Sequence, residues 1–169
     1  MELTSSQVRQ DFSCFGGFGQ QGYGYRVETL RTAMAGILGL GHNYRAVVVG
    51  TGNVGRALLS NFDFERHGFD LLCAFDSDPA VIGVAVGGFD VRDAGELELF
   101  IKDNQVDMAV IAVPPRVAEE VAARLAGAGV TALWNFAPVD LDTRFPGVHV
   151  ENVNLADSVM TLCYRLTNR

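Results

Sequence analysis

The sequence predicts an α/β protein built on a doubly wound, Rossmann-type parallel sheet. From residue 45 onward, short apolar segments typical of buried strands alternate with segments of helical periodicity. A glycine-rich loop at residues 50–55 directly follows the first of these strands and directly precedes a helix. The 169 residues, 49% of them hydrophobic and 20% charged, suffice for one such domain and a shorter appendage. We therefore expect an N-terminal region over 1–41, a Rossmann domain over 42–152 and a final helix over 153–169.

The N-terminal region is predicted to contain two helices separated by a hairpin. Polar side chains at residues 4–7 can cap the free N–H groups of a helix that continues through Phe12. The glycines and aromatic residues that follow, up to Tyr25, indicate a tight hairpin. Apolar residues at helical spacing, closed by two glycines, then predict a helix over 27–41.

The remainder of the chain is predicted to alternate between buried strands and crossover helices. The predicted strands are residues 46–49, 71–75, 108–113 and 130–134. The predicted helices are residues 54–65, 94–102, 117–125 and 155–166. Because crossover helices connect parallel strands, this order predicts a parallel sheet with helices on both faces.

The loop Gly50-Thr51-Gly52-Asn53-Val54-Gly55 matches the G-x-G-x-x-G pattern in its required context between a strand and a helix. Gly50 permits the tight turn, Gly52 lets a pyrophosphate approach the backbone, and Gly55 lets the helix pack close to the strand. Free N–H groups and the positive end of the helix then favour phosphate groups. All six residues are therefore candidate ligands of a dinucleotide cofactor.

Asp76 ends the second strand of the domain and is the expected ribose-binding acid. It follows Gly50 by 26 residues, close to the roughly 20 residues typical of this fold. A carboxylate there accepts hydrogen bonds from ribose hydroxyls and repels a 2′-phosphate, which favours NAD(H) over NADP(H). Asp78 could share this task, although it fits better in the turn before Pro79. An ordinary strand–helix turn and a related domain that binds coenzyme A are the competing interpretations.

Two further segments follow predicted strands, where ligands bind in this type of sheet. Val113 and Pro114 end one strand, and Asn135 and Phe136 follow another. Neither segment nor the glycine loop contains a histidine or lysine that could serve as the acid or base of a dehydrogenase. We therefore predict a sensor and not an enzyme, with no catalytic residue.

Composition excludes several other classes. The net charge of −7 argues against a chain that binds nucleic acid over its whole surface, although a local basic patch stays compatible with it. Cys14, Cys73 and Cys163 form no C-x-x-C pair, so we expect a reducing compartment, no disulfide framework and no metal. No apolar run approaches the roughly 20 residues that span a bilayer, and no signal peptide is recognisable. A cytoplasmic protein without a membrane partner is expected.

Several strings together resemble the Rex family of redox-sensing transcriptional repressors. The resemblance covers nearly the whole chain, and its strings are residues 8–16, 18–25, 50–58, 74–79, 135–138 and 150–153. It implies a homodimer with an N-terminal winged helix, of which residues 1–41 are a part, and a C-terminal NAD(H)-binding domain. It also implies that the C-terminal helix is exchanged between subunits, which brings Leu155 close to the partner's nicotinamide pocket. In this family NADH releases operator DNA, whereas NAD⁺ permits its binding.

The same resemblance implies a DNA-contacting helix at the N-terminus. Its candidate contacts are Ser5, Ser6, Gln7 and Arg9. The chain departs from the family pattern because it starts near the recognition helix and because three glutamines, Gln10, Gln20 and Gln21, stand where basic residues are usual. Asn154 stands where an acid is usual just before the last helix. These departures predict weakened or lost DNA binding. An NAD(H)- or CoA-binding regulatory module without DNA binding, or a small NAD-dependent oxidoreductase, stays open as an alternative.

Overall fold

A computed structural model describes residues 4–14, 19–20, 24–37, 42–142 and 144–167. The chain divides into two compact units, Met1–His42 and Asn43–Arg169. This division lies one residue beyond the boundary that the sequence predicts between residues 41 and 42.

The first unit contains two helices and a small antiparallel sheet. Its elements are α1 (Ser5–Ser13), β1 (Gly19–Gln20), β2 (Gly24–Tyr25) and α2 (Val27–Ile37). Thr4 caps α1, since its hydroxyl accepts a hydrogen bond from the Gln7 N–H at 3.4 Å while the Gln7 side chain accepts one from the Thr4 N–H at 3.0 Å. The antiparallel pairing of β1 with β2 confirms the predicted hairpin. Residues 38–41 of the second predicted helix lie outside the described residues.

The second unit carries the alternating strands and helices. Its strands are β3 (Tyr44–Val49), β4 (Phe69–Asp76), β5 (Ala85–Val86), β6 (Phe89–Asp93), β7 (Met108–Ile111), β8 (Ala132–Asn135) and β9 (His149–Asn152). Its helices are α3 (Asn53–Asn61), α4 (Leu97–Asn104), α5 (Pro115–Ala128) and α6 (Leu155–Thr167). Single 3₁₀ turns, Glu65–His67 and Ala94–Glu96, precede β4 and α4.

The seven strands form one sheet in the order β5-β6-β4-β3-β7-β8-β9. All neighbours are parallel except β5 and β6, which pair antiparallel. The predicted Rossmann-type parallel sheet is thus confirmed, and the two-residue strand β5 adds an antiparallel pair at one edge. The sequence did not reveal β5, β6 or β9, because strands at or next to the edge of the sheet alternate apolar with polar residues and lack the continuous apolar run of a central strand.

Several predicted boundaries were wrong. The helix predicted over 54–65 ends at Asn61, because Phe62 adopts an extended conformation and its N–H donates to the Leu58 carbonyl. The strand predicted over 108–113 ends at Ile111. The helix predicted over 117–125 begins at Pro115 and continues to Ala128, since proline suits a first helical turn and Gly129 ends the helix at a φ of 110°.

The core has two layers, one on each face of the sheet. In β3, Val47 and Val49 face the layer formed with α4 and α5, whereas Ala46 and Val48 face the layer that contains α3. The strand is therefore buried on both sides, as its β-branched sequence predicts. This arrangement places the loop after β3 between helices of opposite layers. None of the helices within the described ranges is both long and apolar enough to cross a membrane.

We expect Leu125→Ala to lower the free energy of unfolding by about 2–5 kcal/mol, because Leu125 is completely buried against the sheet and its truncation leaves a cavity. Urea denaturation of the purified protein measures this loss. Leu99→Ala is the control, since Leu99 is 66% exposed and its truncation should change the free energy by no more than about 0.5 kcal/mol. Equal losses in the two variants would contradict the described core.

Candidate functional site

The glycine loop between β3 and α3 makes close backbone contacts that only glycine permits. Gly50 has a φ of +97°, and a Cβ there would lie 2.6 Å from the Ala112 carbonyl oxygen. A Cβ on Gly55 would lie 1.9 Å from the carbonyl oxygen of Gly50. Gly52 caps α3, and a Cβ built there meets no atom within 4 Å. The loop is therefore tightly packed at Gly50 and Gly55 and has open space at Gly52. The approach of a phosphate group requires such open space.

The Asp76 carboxylate is tied to this loop through Thr51. Its Oδ2 atom accepts hydrogen bonds from the Thr51 N–H and from the Thr51 hydroxyl, both at 2.6 Å. Its Oδ1 atom accepts hydrogen bonds from the N–H groups of Ser77 at 2.7 Å and Asp78 at 3.0 Å. Burial by itself would raise the pKa of Asp76, but these hydrogen bonds outweigh it and hold the pKa below its ordinary value. The carboxylate is thus ionised and fixed in direction.

A cavity of about 560 Å³ opens at the carboxyl ends of β3, β4 and β7. Seven of the predicted cofactor ligands line it, namely Gly50, Thr51, Gly52, Asn53, Asp76, Val113 and Pro114. Val54 lies outside the lining and is 42% exposed, while Gly55 is buried under the loop. The volume falls within the roughly 300–1,000 Å³ typical of small-molecule sites.

Three arginines that the sequence analysis missed also line this cavity: Arg56, Arg116 and Arg124. Arg56 follows the last glycine of the loop, and its Nε–H donates to the Thr51 carbonyl at 2.8 Å. Arg116 lies in the first turn of α5, which begins two residues earlier than predicted. The position of Arg56 directly after G-x-G-x-x-G was a usable signal, whereas the proximity of Arg124 depends on the packing of α5.

Asn135 is buried, and its side chain forms hydrogen bonds with backbone groups of the protein. Its side-chain N–H group donates to the carbonyl oxygens of Val139 at 2.7 Å and Ala137 at 3.2 Å, and to the Asn152 side chain at 2.9 Å. Its Oδ1 atom accepts a hydrogen bond from the Ala137 N–H at 3.0 Å. These bonds fix the turn after β8 and join it to β9. Asn135 therefore shapes the edge of the site without lining the first cavity.

Phe136 and Leu155 line a second cavity of about 590 Å³ at the ends of β8 and β9. Asn154 also lines this cavity and caps α6, because its Oδ1 atom accepts a hydrogen bond from the Ala156 N–H at 3.0 Å. Nine of the twelve predicted cofactor ligands thus line one of two cavities along one edge of the sheet, whereas Val54, Gly55 and Asn135 line neither.

Helix α6 carries apolar side chains that lie outside the core. Six large hydrophobic side chains of this helix are more than half exposed: Leu155, Val159, Met160, Leu162, Tyr164 and Leu166. In the described part of the chain, no residue of α6 is buried. Such a row of exposed apolar residues is typical of a helix that packs against another chain.

The predicted DNA contacts all belong to α1. Ser6 and Gln7 are exposed on this helix. Ser5 and Arg9 lie in the same helix, but their side chains are outside the described part of the structure.

Cys73 is one of the buried core residues. Burial raises the pKa of the Cys73 thiol to about 11, so that it stays protonated in the core. No group of three or more histidine, cysteine, aspartate or glutamate side chains suited to a metal ion occurs among the described residues.

Residues 42–139 match a family model described as the CoA binding domain, and they belong to that family of domains. Over 162 residues the chain is 50% identical to the redox-sensing transcriptional repressor Rex of Clostridioides difficile (strain 630), covering 96% of this chain and 77% of that relative. This chain belongs to the Rex family. The Rex relatives are transcriptional repressors, which confirms the prediction of a regulator and not an enzyme.

Two solved structures carry the same architecture. RSP in complex with β-NAD⁺ and operator DNA matches 98% of this chain and 76% of its own, with 43% identity and a TM-score of 0.90. RSP in complex with β-NADH matches 98% of this chain and 77% of its own, with 38% identity and a TM-score of 0.84. Rex-type repressors with this fold thus exist in complexes with both redox forms of the dinucleotide.

We expect Asn135→Ala to destabilise the domain by about 1–3 kcal/mol, because it leaves buried backbone and side-chain groups without hydrogen bonds. Urea denaturation measures the change. Asn53→Ala is the control, since Asn53 is exposed in the first turn of α3. A variant at position 135 that is as stable as the control would contradict a structural role for Asn135.

Proposed function

We propose that this chain is a redox-responsive repressor that binds NAD(H) in the cavity formed by the glycine loop, the end of β4 and the start of α5. The observation that carries this proposal is the Asp76 carboxylate, held ionised beside the loop by two hydrogen bonds from Thr51. The RSP complexes with NAD⁺ and NADH support the choice of ligand. A repressor acts on operator DNA, so we assign its action to the cytoplasm.

The geometry of the cavity orders the parts of the ligand. The N-terminus of α3, with Gly52 as its cap, suits the pyrophosphate. Asp76 lies at the end of the neighbouring strand β4, where the adenosine ribose of a bound dinucleotide belongs. Its fixed negative charge repels a 2′-phosphate, and this repulsion selects NAD(H) over NADP(H).

The nicotinamide is assigned to the opposite side of the glycine loop. Val113 and Pro114 line the cavity at the end of β7, on the side of β3 away from β4. Beyond them along the sheet edge lie Phe136 and Leu155 in the second cavity. In the proposed homodimer α6 packs against the partner subunit and brings Leu155 near the partner's nicotinamide. The exposed apolar side chains of α6 support this interface.

DNA binding is assigned to α1, with Ser5, Ser6, Gln7 and Arg9 as contacts. The operator complex of RSP supports DNA as the partner. Gln10 and Gln20 carry no charge, so we propose that this chain binds operator DNA with fewer phosphate contacts and lower affinity than relatives with cations at these positions.

A second candidate is a regulatory module that binds NAD(H) or coenzyme A without contacting DNA. The match of residues 42–139 to the CoA binding domain and the net charge of −7 favour it. A competition titration with NADH and coenzyme A shows which ligand the site prefers. A gel-shift assay with operator DNA shows whether the protein binds DNA.

We expect the wild-type protein to bind NADH more tightly than NADPH or coenzyme A in a fluorescence titration. Asp76→Ala should weaken NADH binding about ten- to a hundredfold, or roughly 1–3 kcal/mol, and should narrow the gap between NADH and NADPH. Asp70→Ala is the matched control, since Asp70 lies near the opposite end of the same strand. Unchanged NADH affinity in the Asp76 variant would remove this residue from the site, and a preference for coenzyme A would refute the proposed ligand.

We expect the double variant Val159→Glu/Leu162→Glu to shift the protein from dimer to monomer in analytical ultracentrifugation, because two charges would interrupt the apolar surface of α6. Leu99→Glu places the same charge on an equally exposed leucine of α4 and should leave the dimer intact. Dimers of unchanged affinity in the double variant would show that α6 does not form the interface.

A further inference from the structure

The side chain of Arg124 connects the two walls at one end of the first cavity. From α5 its Nε and Nη2 atoms donate to the two carboxylate oxygens of Glu98 on α4, at 2.5 and 2.8 Å. Nη2 also donates to the carbonyl oxygen of Ala94, at 2.6 Å. The hydrogen bond from Arg124 holds the pKa of Glu98 below its ordinary value, so the pair is fully charged. A planar guanidinium with paired bonds of this kind fixes orientation as well as distance.

Both walls joined by this side chain face the cavity. Ala94 lines it from the 3₁₀ turn after β6, while Val117, Val121 and Arg124 line it from α5. Because β6 lies next to β4 on the side away from β3, the Ala94 wall lies beyond Asp76 when viewed from the glycine loop. With the pyrophosphate on the loop and the ribose at Asp76, the adenine is the part of the ligand that reaches this end.

The Arg124–Glu98 ion pair is too exposed to solvent to contribute much to the free energy of folding. The side chains of Arg124 and Glu98 are 30% and 39% exposed, and exposed pairs contribute little to the free energy of folding. Its distinguishing property is its position, since it joins residues 26 apart in the sequence at one end of a cavity. The Arg92–Glu96 pair, by contrast, joins residues four apart and lines no part of that cavity.

We propose that Arg124 is a positioning residue that sets the width of the adenine-binding end of the cavity by holding α5 against the Ala94 turn through Glu98. This inference rests on the proposed NAD(H) site. The adenine is identical in NADH and NAD⁺, so loss of the connection weakens both ligands by the same factor. The ratio of the two affinities, which carries the redox information, is unaffected.

The test measures the dissociation constants of NADH, NAD⁺ and ADP by isothermal titration calorimetry for the wild type and for Arg124→Gln. ADP serves as a probe of the adenosine diphosphate half because it lacks the nicotinamide. We expect Arg124→Gln to raise all three constants by a common factor of about ten, since a pre-organised site loses affinity when its walls are released. The dissociation constants of Arg124→Lys should lie between those of the wild type and those of Arg124→Gln, because lysine retains the charge but not the paired hydrogen bonds. Arg92→Gln is the control and should leave all three constants unchanged.

Glu98→Gln separates positioning from direct contact. If Arg124 acts through Glu98, this variant weakens ADP, NADH and NAD⁺ as Arg124→Gln does, and it also serves if Arg124→Gln fails to fold. Wild-type affinity in Glu98→Gln, unchanged ADP binding in Arg124→Gln, or an altered ratio of NADH to NAD⁺ affinity would each overturn the proposal. A wild-type protein that binds none of the three ligands would instead refute the NAD(H) site itself.

Discussion

The tie between Thr51 and Asp76 is the interaction on which the candidate site depends. It joins the loop after β3 to the end of β4 and thereby fixes the loop backbone and the carboxylate proposed to bind ribose relative to each other. Four hydrogen bonds hold the carboxylate in its charged form. Because the folded pKa of Asp76 is lowered, the stability this group contributes is present above the ordinary carboxyl pKa and is lost as the pH falls through the folded value. The tie therefore persists throughout the neutral range.

Sheet topology explains why a cavity forms beside this tie. From β3 the chain moves outward through β4 to β6 on one side, and then returns to β7 and continues through β8 to β9 on the other. Helix α3 packs in one core layer, and α5 packs in the opposite layer. The two helices diverge at this reversal of strand order, and a crevice opens between β3 and β7 at the carboxyl end of the sheet. The ligand site is thus a consequence of the chain path, and its side chains refine a cleft that the topology provides.

The parts of the site that the sequence predicted are those encoded locally. The loop from Gly50 to Gly55 carries its own strand, turn and helix signals, and Asp76 follows at the end of the next apolar run. Arg124 could not be predicted in the same way, because its proximity to Ala94 depends on the packing of α5 beside α4. The structural role of Asn135 could not be predicted either, because the carbonyl groups that its amide binds in the turn after β8 come together only in the folded chain. Edge strands escaped prediction because half of their residues face solvent.

The two halves of the proposed ligand contribute differently to binding. The adenosine diphosphate half and the nicotinamide half are assigned to different ends of the site. NADH and NAD⁺ share the adenosine diphosphate half, so contacts at Asp76 and at the glycine loop supply affinity but no redox information. Discrimination must arise where the ligands differ, at the nicotinamide, which the proposal places beside Val113 and Pro114 and near the partner's Leu155. To shift a protein from 1:99 to 99:1 between two conformations, a ligand must bind the favoured conformation more tightly by about 5.5 kcal/mol. In the proposed site this preference arises at the nicotinamide end. In a single chain the apolar residues of α6 are exposed beside the second cavity. In the proposed homodimer, the second subunit covers this surface and completes the site that distinguishes the two ligands.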